Sequence, residues 1–405
     1  MFAPQTIGAA CLEGTLREHI SNVVDCFREL RTTPFTGNGD AYYRLNCRCA
    51  ANLDALRVAG EEAIGICNSE TKADGEMASV FALLLAECCE NKHVAGSNLS
   101  FLLRDEALKI RHSAWLGLRL AEVRRIEPHL RDLVKGSLRD FRSAAALDIL
   151  AFHRLPVRAV IGLPPEDEDI AWLLAEAGGR IPGAWNAELL RQYLAHPAPR
   201  VREAALRAAA RSRVSALPVI CREAAARAEG SGAEAISFLG VVGAADDVNL
   251  LRSAAKEPEV AKSAVEALGR LGLVAGVPTL LDLLANEELG EPAAFAFWRI
   301  TGEKPPRGPA AAPPPGLSEN ELDLWEPKAP VDVSAARAWW RTNSRRFDPQ
   351  KTWQVGLCVS DDPLGAVFDQ LPLAVRYDVY LRQRALKPNV PDWELETWGW
   401  KQKNP

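Results

Sequence analysis

The chain has 405 residues, 48% of them hydrophobic and 25% charged, with a formal net charge of −5 and a pI near 5.8. This length exceeds what one core needs and implies two or three domains or one elongated repeat array. The acidic balance excludes a globally basic polyanion binder, so any nucleic-acid site has to be a local patch.

The N-terminus, MFAPQTIGAACLEGTLREH, has no basic stretch followed by an apolar core, so no secretory signal is expected there. No run of about 18 apolar residues predicts a membrane helix. Seven of the nine cysteines precede residue 90, at irregular spacing. With no signal peptide, that usage predicts reduced thiols and a cytoplasmic protein rather than a disulfide framework. Cys47-Arg48-Cys49 and Cys88-Cys89 depart from the C-x2-C spacing that suits tetrahedral zinc. They read as small buried residues on helices, and no metal or cofactor is expected.

Residues 1–95 form an N-terminal helical region. Helical periodicity covers Thr15–Arg31 and Arg44–Ile66, interrupted by the turn-rich Thr33–Asp40. An internal repeat follows over residues 96–303. Val201-Arg202-Glu203-Ala204-Ala205-Leu206 is its template, matched by segments starting at Ile110, Phe141 and Val260. The steps of 31, 60 and 59 residues give a unit of about 30, with weaker copies at Ile170–Ala177 and Ala233–Gly240. Glu291–Gly302 is a last copy, for about six or seven units in all. Second helices lie between copies, as at Ala187–Ala195 and Val277–Leu284. No single pair buries its apolar face alone, so the pairs are expected to stack. Residues 304–320 form a proline-rich loop or linker. Residues 321–405 are expected to form capping helices, at Val333–Thr342, Leu364–Gln370 and Ala374–Ala385, the last two as a pair. Seven of the eleven tryptophans lie after residue 320, as an aromatic cap or a docking surface.

The fold expected is therefore all-α: a helical-hairpin solenoid with a helical N-terminal region and a tryptophan-rich C-terminal cap. The array resembles HEAT repeats of the short kind found in phycobilin lyases. Ala50–Ala63, Ala294–Glu303 and Ala336–Phe347 together resemble an uncharacterised proteobacterial HEAT-repeat family. Membership implies no established enzymatic activity. The genes of that family often lie near type VI secretion components, which implies an adaptor or chaperone for secreted effectors. The run Pro164–Asp169 (PPEDED) and the proline spacer depart from the family pattern.

Chemistry-bearing constellations are sparse. None of the six histidines sits in H-E-x-x-H, and no His-Glu dipeptide of the kind used by HEAT-repeat metal oxygenases occurs. No G-x-S-x-G, P-loop or G-x-G-x-x-G is present. Glu166–Asp169 lacks the ligand spacing of a calcium loop and reads as a solvated helix start. Between residues 96 and 230 there are 21 Lys/Arg against 16 Asp/Glu, too thin an excess for a continuous phosphate track.

Binding is the expected use, with another protein as partner and no membrane. The template register places Glu203, Arg207 and Arg211 on one helix face, opposite Val201 and Ala205. Equivalent positions are His112, and Glu266 with Arg270; Trp339 and Trp340 are candidates for docking. Arg202 shares the register of Arg111 and Arg142 and is expected to bridge repeats, with Arg200 and Arg213 solvated at the turns. A non-catalytic scaffold is the principal reading. The alternatives are a nucleic-acid-binding HEAT protein, motivated by the arginine cluster, and a lyase-like enzyme by fold analogy.

Overall fold

A computed structural model describes residues 4–36, 39–72, 74–104, 106–309, 316, 318, 329–360 and 364–396. The chain is all-α and divides into two compact units. The first comprises Met1–Val214, Pro372–Tyr377 and Lys387–Pro405; the second comprises Ser215–Leu371 and Asp378–Leu386.

The first unit contains α1 (Pro4–Thr36), α2 (Gly39–Ala59), α3 (Glu61–Glu70), α4 (Met77–Glu87), α5 (Lys92–Arg104), α6 (Leu108–Leu120), α7 (Glu127–Val134), α8 (Phe141–Phe152), α9 (Glu168–Arg180), α10 (Ala187–Leu194) and α11 (Pro199–Arg211). Local chemistry starts several of them. Asp140, Asp167 and Asn186 cap α8, α9 and α10, each accepting from the backbone N–H three residues on, at 2.8, 3.0 and 2.8 Å. Pro199 opens α11, where its missing N–H costs nothing. Helices α4, α6, α8, α9 and α11 pack in succession, flanked by α5, α7 and α10, in the manner of a solenoid. The inner helices are alanine-rich and enclosed; α8 buries every residue except Arg142. Flanking α10 is amphipathic, burying only Leu189, Leu190 and Tyr193.

Close approach of successive inner helices depends on small residues. A Cβ on Gly179 would lie 2.7 Å from Ala208 Cα in the first unit, and one on Gly269 would lie 2.8 Å from Ala296 Cα in the second. The equivalent contact thus recurs in both units.

The second unit contains α12 (Leu217–Arg227), α13 (Ala233–Val242), α14 (Asp247–Ala254), α15 (Ala261–Leu271), α16 (Val277–Leu283), α17 (Gly290–Thr301) and α18 (Val333–Asn343). It also holds an antiparallel hairpin of β1 (Trp353–Gln354) and β2 (Leu357–Cys358), with Trp353 opposite Cys358. Helices α13, α15 and α17 pack in succession. The hairpin satisfies their orphan carbonyls: Trp353 N donates to Gly272 O at 2.8 Å, and Val355 N to Arg299 O at 2.6 Å. The last helix, α19 (Leu373–Leu386), gives Leu373–Tyr377 to the first unit and Asp378–Leu386 to the second.

Several sequence expectations change in detail. The turn foreseen from Thr33 is helical through Thr36, in the last turn of α1. The single helix expected over Arg44–Ile66 breaks at Gly60, which has φ +54°. No helix fills the gap between α8 and α9; residues 155–162 run without helix or strand. The spacer begins as an extended strip, with Gly308 N donating to Pro330 O and Asp332 N to Pro306 O, both at 2.8 Å; most of residues 310–320 lie outside the described residues. Leu364–Gln370 holds one 3-10 turn, Phe368–Gln370, so the expected terminal helix pair does not form. Trp339, Trp340 and Trp353 fall in the second unit and Trp393 in the first, while Trp325, Trp398 and Trp400 lie outside the described residues. No described helix is long and apolar enough to cross a membrane.

Candidate functional site

Four inner helices of the first unit carry charge on one shared face. Helix α6 supplies Arg119, α8 Asp148, α9 Glu176 and Arg180, and α11 Arg207 and Arg211. Asp148 is fully buried and receives Trp115 Nε1 at 2.9 Å and Arg180 Nη1 at 3.2 Å. Glu176 receives Arg180 at 3.1 Å and Arg207 at 2.8 Å. Arg119 lies over the rings of Trp115 and Phe152, at 4.7 and 4.2 Å from their centroids. Cation–π contact favours a guanidinium where hydration is poor.

The remaining partners come from the far end of the chain. Asp392, Glu394 and Glu396 lie along this face, Asp392 and Glu394 in a stretch without helix or strand and Glu396 in the turn that follows it. Glu394 accepts from Arg180 at 2.8 Å and Arg211 at 3.1 Å. Glu396 accepts from Arg119 at 2.7 Å and Arg180 at 3.2 Å. Asp392 binds Arg154 at 2.5 Å and Arg211 at 3.1 Å. Backbone carbonyls join in: Trp393 O accepts from Arg211 at 3.2 Å and Val390 O from Arg213 at 2.6 Å. The acids stand at alternate positions, and all three reach arginines of this face. Leu395 between them is buried.

Electrostatics match the geometry. Arg119, Arg154, Arg180, Arg207 and Arg211 face Asp148, Glu176 and, at the exposed rim, Glu203 from the helices, leaving two positive charges, and the segment supplies three carboxylates. Burial pushes the Glu394 carboxyl up, but Arg180, Arg211 and Arg119 outweigh it and hold it far below the usual carboxylate range. Glu176 is likewise desolvated, yet Arg207 and Arg180 bring it down to about 2. Asp148 goes the other way: complete burial raises it despite Arg119 and Arg180.

The sequence candidates fall into separate places. Arg207 and Arg211 stand together on this face, with Glu203 at its exposed rim, 3.7 Å from Arg207. His112 belongs to another cluster of the first unit, at the start of α9. Its Nδ1 lies 2.8 Å from Leu108 O and its Nε2 3.0 Å from Asp169 Oδ1. Arg111 and Arg200 bind the same carboxylate at 2.8 and 3.1 Å, and Arg200 stacks 3.6 Å over Trp172. Asp169 is pushed up by burial and pulled lower still by His112, Arg111 and Arg200, so the acidic run is only partly solvated. Both ring nitrogens of His112 are engaged, Nδ1 within α6 and Nε2 across to α9.

Glu266 and Arg270 meet in the second unit through Ser237. Ser237 Oγ donates to Glu266 at 3.4 Å and accepts from Arg270 at 3.1 Å, while Arg270 Nε pairs with Asp378 at 3.2 Å. Trp339 and Trp340 lean on Phe297, at ring-centroid distances of 5.7 and 6.4 Å, and Trp340 also packs on Phe347. Arg202 turns back to His196 O and Pro197 O, at 2.8 and 2.6 Å, closing its own turn. Arg200 and Arg213, expected in solvent, reach Asp169 and Val390.

Sequence reasoning missed Arg119, Arg154, Arg180 and the three acids. Arg119 is the penultimate residue of α6 and Arg180 the last of α9, where arginine reads as a dipole complement. The alternation Asp392-Trp393-Glu394-Leu395-Glu396 was the available signal: acids in step with the period of an extended chain. Among the described residues no group of three or more His, Cys, Asp or Glu is placed to hold a metal ion. Scanned against protein-family models and searched against curated proteins, the chain matches none.

Proposed function

We propose that the chain is a protein-binding scaffold whose inner-helix face in the first unit takes an extended acidic segment of a partner, with Asp392–Glu396 holding that place in the unbound chain. One observation carries the reading: arginines from successive helices grip alternate residues of a short acidic segment. This is how a repeat array reads a linear chain, one or two contacts per unit. A tethered segment competes at an effective concentration near millimolar, so a partner needs a better match or a second contact. By the resemblance in sequence, secreted effectors or their carriers with acidic, tryptophan-containing segments are the first partners to test.

The test uses the full chain and a fluorescein-labelled peptide of residues 387–396. The D392N/E394Q/E396Q variant keeps the shape of its own segment but loses the charge. It is expected to bind the peptide, more weakly as salt rises from about 50 to 200 mM, and to lose binding on Arg211→Gln. The wild type is expected to bind at least about tenfold more weakly, because its own segment competes. A variant with native circular dichroism that binds no peptide overturns the reading. Displacement of bound peptide by duplex DNA, but not by unlabelled peptide, moves it to polyanion binding. If the triple variant does not fold, wild type cut at a protease site inserted at Lys387–Asn389 serves instead. Failure of the cut segment to exchange with labelled peptide then counts against the proposal.

A further inference from the structure

We propose that Val157–Leu163, on the first unit, takes a basic, apolar segment of a partner protein as an added strand. This stretch stands where the array would carry a flanking helix: α5, α7 and α10 flank the inner helices, but only non-helical chain fills the gap between α8 and α9. From Arg154 to Gly162 exposed residues alternate with half-buried or buried ones, the two-residue period of an extended chain. Arg131 Nη1 holds its start, donating to Pro156 O at 2.6 Å. Ile161 anchors its end on Gly178 of α9, with Cγ1 3.2 Å from where a Cβ on that glycine would lie.

The backbone of the stretch is open. Among the described residues, no N–H or C=O from Val157 to Leu163 bonds another backbone group. The spacer strip, by contrast, is paired, Gly308 with Pro330 and Asp332 with Pro306. A row of open backbone groups is the edge that an incoming chain extends by main-chain hydrogen bonds. Pro156 and Pro164, which have no N–H, bound it on both sides. Apolar side chains stand along the same row: Val160 is 89% and Leu163 69% exposed. With Ile181 and Leu189 they line a cavity of about 480 Å³ against the start of α10.

Charge selects the occupant. Glu188 lines the same cavity, is exposed, and accepts from Gln192 Nε2 at 3.1 Å. Glu166 and Glu168, just beyond Leu163, are also exposed. Among the described residues none of these three carboxylates forms an ion pair, and Arg158 is the one base within the stretch. That balance favours lysine or arginine on the incoming segment, alternating with apolar residues that enter the cavity. An acidic segment of the kind gripped by Arg180 and Arg211 is disfavoured here, so the two surfaces read opposite charge.

The test displays random peptides of about twelve residues on phage and selects them on the immobilised full chain. Counter-selection uses Val160→Pro, which removes one N–H and the exposed valine side chain. Expected are peptides in which apolar residues alternate with lysine or arginine. A labelled representative should bind the wild type, and more weakly as salt rises from about 50 to 200 mM. It should lose at least about tenfold in affinity on Val160→Pro, on Glu188→Lys, and on N-methylation of its own alternate amides. N-methylation probes backbone pairing on the unaltered chain, so it decides alone if Val160→Pro does not fold. No enriched peptide, enrichment of acidic peptides only, or an N-methylated peptide that binds as well as its parent overturns the proposal. A dimer of the chain that sedimentation detects and Val160→Pro dissociates also overturns it, because the occupant is then a second copy.

Discussion

Arg180 is 1% exposed and meets Asp148, Glu176, Glu394 and Glu396 within 3.2 Å. Such a guanidinium is tolerated inside a protein only because its partners replace the lost hydration. Removing it leaves Asp148 and Glu394 buried and under-compensated. Arg180→Ala is expected to destabilise by about 3–5 kcal/mol. Arg200→Ala, which loses a partly exposed ion pair and a stack on Trp172, is expected to cost about 1 kcal/mol. Urea midpoints for the two variants check this, and equal shifts refute the distinction. Residue-scale legibility follows the same line. Helical period placed Arg207 and Arg211 on one face, because both lie on α11. Their partners were not legible: Asp392 and Glu394 are 181 and 183 residues downstream of Arg211, and no local spacing encodes a pairing of that range.

At the scale of elements, the repeat spacing carries more than helix positions. Glu176 and Arg207 are 31 residues apart, and Arg180 stands the same distance before Arg211, so each pair occupies equivalent places on stacked helices. The roughly 30-residue period was therefore also a map of cross-helix neighbours. What it did not disclose was where a helix stops. Gly60 splits α2 from α3 by adopting positive φ, and Leu364–Gln370 has helical periodicity but forms a single 3-10 turn. Close packing of the inner helices gives a prediction at this scale. Gly179→Val forces a side chain against Ala208 backbone and is expected to destabilise by about 1–3 kcal/mol or to prevent folding. Gly136→Ala, with nothing within 4 Å of the added carbon, is expected to stay within about 0.5 kcal/mol of wild type. Thermal or urea melts compare them; a tolerated Gly179→Val would mean the helices separate more readily than their packing implies.

At the scale of the molecule, the C-terminal segment ties a remote part of the chain to the charge balance of the first unit, and pH should untie it. Glu176 and Glu394 have folded-state carboxyls below the ordinary 4.5. Their stabilising contribution is complete above that value and is lost as pH falls toward and through about 2, where Glu176 titrates. Asp148 opposes them, since its raised carboxyl favours proton uptake in the folded chain. Only Glu394 of the three belongs to the C-terminal segment, and its protonation removes the acceptor shared by Arg180 and Arg211 while those guanidinium groups stay charged. The segment is therefore expected to leave before the helices melt. A dye attached at the C-terminus should lose anisotropy only well below the ordinary 4.5, because Glu394 is held far beneath it, while the helical circular dichroism signal persists to lower pH. The D392N/E394Q/E396Q variant should show low anisotropy already at neutral pH and no acid step. Simultaneous loss of anisotropy and helix in the wild type would make the segment an inseparable part of the fold, and the place it occupies would then not be open to a partner.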